Sequence, residues 1–287
     1  MPVQVRVKDI LSGLFAAEHL GQLKSGPSTS TMLAARQLLE DALPRDRDPT
    51  VADILDAAFA SLVREFPVEY VFKSCALERL LFGRHSPNTT AFYTEFPVGD
   101  SRADLLMVNG RAHVYEIKTR YDDLTRLSAQ LNDYYRAFTH VTLFVDEAHA
   151  AAVASYVPEY TGIAVLARTY SIRSVRAATE HQCDLEHAQV FKMLHQAEYM
   201  SILNRYDVEP QHIDPARRYS YCLDAFCELD MQDAHRETVA ALKRRQSTVK
   251  LAAISANLPR SLVLAPFAYR MTTSDWRSLS EQMRAQA

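Results

Sequence analysis

Apolar residues recur at helical spacing in some stretches of the chain and run continuously in others, and the switches between these rhythms mark its elements. From Thr50 onward, Val51, Ile54, Leu55, Ala58, Phe59, Leu62, Val63 and Phe66 fall on one side of a 3.6-residue repeat, which predicts an amphipathic helix. Pro67 ends it and opens a second helix over 68–81, closed by Gly83. Strand-like runs follow at 91–98, 102–108 and 111–118, then a helix over 122–138 capped by Asp122 or Asp123. Apolar runs at 141–146 and 162–167 read as buried strands, with a helix over 147–157 between them. The order α-β-β-β-α-β-α-β predicts a mixed α/β core over 51–170.

The flanks read differently. Residues 1–50 predict a helical extension: a helix over 9–20, the linker-like Ser25-Gly26-Pro27-Ser28-Thr29-Ser30, a helix over 32–43, and a charged loop. Residues 171–287 are mostly helical, at 185–206, 215–229, 231–246 and 274–286, punctuated by Pro210, Pro215, Pro259 and Pro266. Pattern alone leaves open whether this region is a separate module or a cap on the core.

Composition narrows the field. The chain has 287 residues, 48% hydrophobic and 23% charged, with a formal net charge of −3. That is an ordinary soluble globular balance and excludes a chain that is basic throughout, although a local basic groove is compatible with it. Seven glycines favour helices over a turn-rich all-β architecture. No run of about 18 apolar residues exists, so no membrane span is expected. Lys8, Asp9, Glu18 and His19 interrupt any signal-like stretch. Cys75, Cys183, Cys222 and Cys227 form no Cys-X-X-Cys pair, which argues against zinc. They read as small buried hydrophobes in a reducing cytoplasm.

The chemistry is concentrated in residues 95–118. Glu116 and Lys118 share one face of a strand, because side chains alternate with period two. Asp104, on the preceding strand, joins that face only if the hairpin pairs residues whose numbers sum to an even value. A two-residue Asn109-Gly110 turn gives an odd sum and turns Asp104 toward Tyr115. A three-residue loop, Val108-Asn109-Gly110 with Gly110 left-handed, gives an even one and is the expected turn. Two carboxylates on one face suit Mg²⁺ or Mn²⁺. Such an ion polarises a phosphoryl oxygen and acidifies a bound water, which a desolvated lysine can orient or deprotonate. Glu95 is placed to support the shell. On the next helix Arg126, Gln130 and Tyr134 stack at i, i+4 and i+8, a stripe able to hold a phosphate or steady Lys118. Arg84 and His85, in a polar loop after Gly83, are further candidate phosphate contacts.

These residues carry a resemblance. Asp104, Glu116-Ile117-Lys118 and Gln130-X-X-X-Tyr134 resemble the PD-(D/E)XK nuclease superfamily and its RecB-like branch. The longer run from Phe82-Gly83-Arg84-His85-Ser86 through Glu95-Phe96 and Arg102-Ala103-Asp104 to Arg126-Leu127 is similar to a bacterial family within it. The likeness covers about residues 68–167, with Ala103 standing where many members have proline. It implies a restriction-endonuclease-like αβββαβ core and a magnesium- or manganese-dependent nuclease of DNA, with cutting from ends or inside (as an endonuclease) left open. Asp104, Glu116 and the Ile117 carbonyl would be the metal ligands and Lys118 the catalytic amine. Glu69 and Glu78 are alternatives for the helical acid some members use. A setting in defence against phage is implied by the resemblance alone.

The runner-up expectation is a silent nuclease fold that binds DNA or a protein. A homodimer or a protein partner held through the C-terminal helices is compatible with either. The helix over 236–250, with Arg236, Lys243, Arg244, Arg245 and Lys250, reads first as a solvated face and second as a phosphate track.

Overall fold

The hairpins that the sequence pattern outlines assemble into a six-stranded sheet in sequential order, β1 to β6. The strands are β1 (Ala91–Val98), β2 (Ser101–Asn109), β3 (Arg111–Lys118), β4 (Val141–Asp146), β5 (Gly162–Ala167) and β6 (Ser171–Arg176). In this computed structural model, which describes residues 2–167 and 169–286, β1–β2 and β2–β3 are antiparallel and β3–β4 is parallel. The protein is a mixed α/β fold with helical additions.

β1 to β5 fall on the expected runs. β6 is not signalled by the apolar pattern: Ser-Ile-Arg-Ser-Val-Arg carries two arginines and none of its residues is buried, the character of an edge strand without a buried face.

The chain divides into two compact units that interleave along the sequence. One comprises Met1–Asn88, Leu166–Ile172 and Thr248–Ala287; the other comprises Thr89–Val165 and Arg173–Ser247.

In the first unit, Val51–Glu65 is the expected amphipathic helix. Thr50 and Asp53 form a reciprocal capping box at its start, and Arg47 grips the Asp53 carboxylate at 2.7 and 2.9 Å. A second capping box, Thr272 with Asp275, begins the helix Thr273–Gln282, and Lys24 bonds Asp275 at 2.7 Å. The helix expected over 68–81 is α-helical only over Glu69–Ala76 and continues as a π-helical stretch, Leu77–Phe82.

In the second unit, the helix Leu127–Tyr135 packs on β2 and β4 through Leu127, Leu131, Tyr134 and Tyr135. It starts later than expected because the two candidate caps are used in the preceding turn. Asp122 accepts from the Thr119 amide and hydroxyl, and Asp123 accepts from those of Thr125. The helix Met231–Arg245 packs on β1 and β2, with Val239 and Leu242 joining the core of the sheet. Tyr93 donates to the Leu242 carbonyl. A second core gathers Phe191, Tyr199, Ile202, Cys222 and Phe226 from the later helices. Cys75 and Cys222 are buried as expected, whereas Cys183 and Cys227 are exposed.

Close packing inside the sheet gives one prediction. A Cβ at Gly162 would lie 2.5 Å from Thr142 Oγ1 and 2.8 Å from the Ala178 nitrogen, so Gly162→Ala should cost about 1–3 kcal/mol. Gly110→Ala meets nothing within 4 Å and should cost only the left-handed strain, about 1–2 kcal/mol. Urea unfolding midpoints check the ordering.

A second prediction concerns His235, half-buried on Met231–Arg245, whose Nε2 is shut off from water without a hydrogen-bond partner. Burial pushes its pKa down to about 4, against a small opposing pull from Glu180. The unfolded chain therefore binds this proton more tightly than the folded one. The stability contributed by a neutral His235 is fully present above about pH 6.5 and falls as pH drops through 4. His235→Leu should flatten that slope, read from unfolding midpoints at pH 7 and pH 4.5.

Candidate active site

The site lies where β2 and β3 part. Their ladder runs from Asn109↔Arg111 around Gly110 (φ +75°) to Leu105↔Tyr115, and then stops. The sum of paired positions is even, as expected. The turn is tighter than the three-residue loop expected, because it pivots on Gly110 alone. The register therefore shifts by two and sets Asp104 directly opposite Glu116, just beyond the last bonded pair. From there β3 keeps its parallel ladder to β4 as far as Lys118↔Val145. In place of a backbone rung, Asp104 Oδ2 accepts the Ile117 amide at 2.7 Å.

The other side of β2 is interrupted at the same level. β1 pairs with β2 at Thr94↔Leu105 and Phe96↔Ala103 but skips Glu95, which is left-handed at φ +53°. A non-glycine residue there is strained, and glutamate is not among the side chains that relieve the strain locally. Glu95 is exposed, and a carboxylate oxygen of it lies within 4.8 Å of one on Asp104.

Glu116 is 2% exposed and is the hub of the site. Its Oε1 accepts from Lys118 Nζ at 2.8 Å and from Gln130 Nε2 at 2.7 Å, and its Oε2 accepts from the Tyr134 hydroxyl at 2.6 Å. Lys118, itself buried, also donates to Gln130 Oε1 at 2.8 Å, which closes a ring. The Arg102 carbonyl lies 3.0 Å from the same Tyr134 hydroxyl. Burial first, then the charge of Glu116 and its bond to the hydroxyl, push the Tyr134 phenol far above its usual range and keep it a donor.

The helix thus does what its stripe suggested for two of three residues. Gln130 and Tyr134 reach Glu116, and Gln130 also steadies Lys118. Arg126 sits exposed at the position before the helix. His113, on the opposite face, bonds Thr142 Oγ1 at 2.8 Å and stacks on Tyr115.

Arg84 and His85 belong to the first unit, in the turn after the π-helical stretch; Arg84 is exposed and His85 half-buried. In that unit Glu69 pairs with Lys73, and Glu78 is held by Arg260 at 2.7 and 2.9 Å. Among the basic residues of the later helix, Arg236 pairs with Asp233 at 2.6 Å, Arg245 is engaged by Glu198, and Lys243 and Arg244 are exposed.

Asp146 had escaped the sequence reading. It ends β4 beside the end of β3, buried, and bonds Arg120 Nε at 2.9 Å. An acid closing an otherwise apolar strand run was its only signal.

The sequence model of the family described as Bacteriophage P4 protein cII matches residues 64–263, more than half of the chain. The chain belongs to that family. No curated protein and no solved structure matches it.

Charge coupling at Glu116 is testable by a double-mutant cycle. Lys118→Met alone leaves a buried carboxylate without its counter-ion and should cost about 3–5 kcal/mol. Adding Glu116→Gln removes the charge itself and should recover most of that loss. Strictly additive costs in urea unfolding would show that the two charges are not coupled.

Proposed function

We propose that this chain is a metal-dependent nuclease that hydrolyses phosphodiester bonds of DNA. One observation carries the reading. Asp104 and Glu116 face each other at the point where two strands part, with the Lys118 ammonium bonded to Glu116. This is the geometry that the resemblance to PD-(D/E)XK nucleases calls for.

The donors present fit an oxygen-loving divalent ion. Asp104 and Glu95 bring carboxylate oxygens together despite their like charge, and the carbonyl of Ile117, the residue whose amide bonds Asp104, is assigned as a neutral oxygen donor. Glu116 would join as a ligand by yielding one of its oxygens from Gln130 or Tyr134. Bound there, Mg²⁺ or Mn²⁺ supplies Lewis-acid polarisation and an acidified water.

The chain's own residues have separate tasks. Lys118 holds an ammonium beside Glu116, where it orients the attacking water. Gln130 fixes both of these side chains at once. Tyr134, kept protonated, pins the second oxygen of Glu116. Arg126 is assigned to a phosphate of the substrate, and Arg84 and His85 are offered as phosphate contacts on their chemistry alone. A cytoplasmic role against phage or other foreign DNA is the setting we propose.

A second reading has its own observation. Glu116 is already engaged at both oxygens, as in a structural ion pair, so the fold could serve as a binding module for DNA or a protein. Incubation of supercoiled plasmid with the full chain separates the two. The nuclease reading expects cleavage that needs Mg²⁺ or Mn²⁺, is stopped by chelator, and falls about 100-fold or more in Lys118→Ala and in Asp104→Asn. Equal cleavage by all three proteins would reject the assignment. Metal-independent DNA binding without cleavage would favour the module.

A further inference from the structure

The same helix, through Leu131 and Tyr135, also lines a cavity of about 490 Å³ in the second unit. Three segments form it: the turn and first helical turns from Asp123 to Tyr135, the stretch from Tyr156 to Tyr160, and Asp184. The volume falls in the range of pockets that enclose small organic ligands, roughly 300–1,000 Å³. Nothing in the nuclease reading uses it.

Its walls have a consistent chemistry. Tyr135, Tyr156 and Tyr160 supply aromatic rings, and Leu131 supplies part of the apolar wall. Tyr135 meets Tyr160 edge to face at 4.8 Å, and Tyr160 is backed by the His181 ring stacked at 3.8 Å, so two of the three rings are fixed in place. Tyr156 is 80% exposed at the mouth, a large aromatic side chain with its surface open to a ligand.

The charged groups lining the cavity are both acidic. Asp123 is held by the Thr125 amide and hydroxyl, bonds that favour its ionised form and bring no counter-charge. Asp184 bonds His181 Nε2 at 2.8 Å. Among the described residues that line the space there is no lysine or arginine. Arg176, close enough for its charge to act on the Tyr135 hydroxyl, donates to the carbonyls of Pro158 and Thr161 at 2.9 and 2.8 Å. Aromatic faces attract cations through their quadrupoles, and carboxylates at the rim add a directed charge. An anion would meet two like charges there, and the adjoining imidazole of His181 is already bonded to Asp184.

We infer that this cavity is a binding site for a small aromatic organic cation, its ring among Tyr135, Tyr156 and Tyr160 and its ammonium toward Asp123 and Asp184. The site is separate from the proposed nuclease centre, and its test does not depend on DNA cleavage. The helix Leu127–Tyr135 serves both places, with Gln130 and Tyr134 turned to Glu116 and Leu131 and Tyr135 turned to the cavity.

Three indole probes that differ only in their end group test the assignment: tryptamine, tryptophol and indole-3-acetate. Calorimetric titration of the full chain at pH 8 should show saturable one-to-one binding of tryptamine. Tryptophol should bind about tenfold more weakly and indole-3-acetate not measurably. Asp184→Asn should weaken tryptamine about tenfold. Ser128→Trp, at an exposed wall position, should fill the space and abolish binding while the far-ultraviolet circular dichroism stays unchanged. The inference is overturned if wild type shows no saturable tryptamine binding, if indole-3-acetate binds as well as tryptamine, or if neither substitution changes the affinity.

Discussion

A carboxylate buried at 2% exposure governs the architecture of the sheet end. Moving a charged group out of water costs several kcal/mol, and only a partner of opposite charge with well-aligned hydrogen bonds offsets that cost. Lys118 supplies the charge from two residues along the same strand face, which fixes β3 in an extended conformation there. Gln130 and Tyr134 supply the remaining donors from the helix, which fixes that helix in rotation and in height. The requirement to satisfy one charge therefore couples a strand to the helix that covers it.

The parting of β2 and β3 follows from the same constraint. Continued pairing past Leu105 would leave the Ile117 amide in a backbone rung and crowd Asp104 against Glu116. Because Asp104 takes that amide through its side chain, the amide stays satisfied while the strands separate. β3 loses nothing on its other edge, since its ladder to β4 continues to Lys118. The left-handed Glu95 marks the matching break on β1. Two interruptions lie at one level of the sheet: the lost rung at Ile117 is replaced by the Asp104 side chain, and the break at Glu95 is tolerated at the cost of a left-handed backbone.

What could be read in advance followed from the range of the forces involved. β1 to β5 were legible because burial imposes period-two or continuous apolar runs on the residues themselves. The side shared by Asp104, Glu116 and Lys118 was legible because alternation and the parity of a hairpin are matters of counting. The size of the turn was not: Gly110 alone reverses the chain, and nothing in Asn109-Gly110-Arg111 distinguishes that from a wider loop of the same parity. β6 was hidden because an exposed edge strand needs no apolar alternation. The start of the 127–135 helix was misplaced because Asp122 and Asp123 are good caps in sequence but spend their carboxylates on Thr119 and Thr125. The attachment of Met231–Arg245 to the sheet lies beyond local pattern, since Tyr93 meets Leu242 across a separation of 149 residues.

The closed ring around Glu116 bears on how the two functional readings relate. Its bonds are strong because the site is dry, and for the same reason each is costly to break without a replacement. On the proposed reading, Asp104 and Glu95 would hold a divalent ion that replaces Gln130 at Glu116, with Lys118 and Tyr134 keeping their bonds to that side chain. The amide of Gln130, half-buried and at the water side of the ring, is the member that moves at least cost. A structural ion pair and a catalytic one would then, if the proposal holds, be two occupancies of the same four side chains. On the proposed reading, the residues that tie β3 to the covering helix would also be those that position the reacting water. Loss of either charged partner would damage stability and chemistry together, so a change at Gln130, which leaves both charges in place, separates the two roles most cleanly.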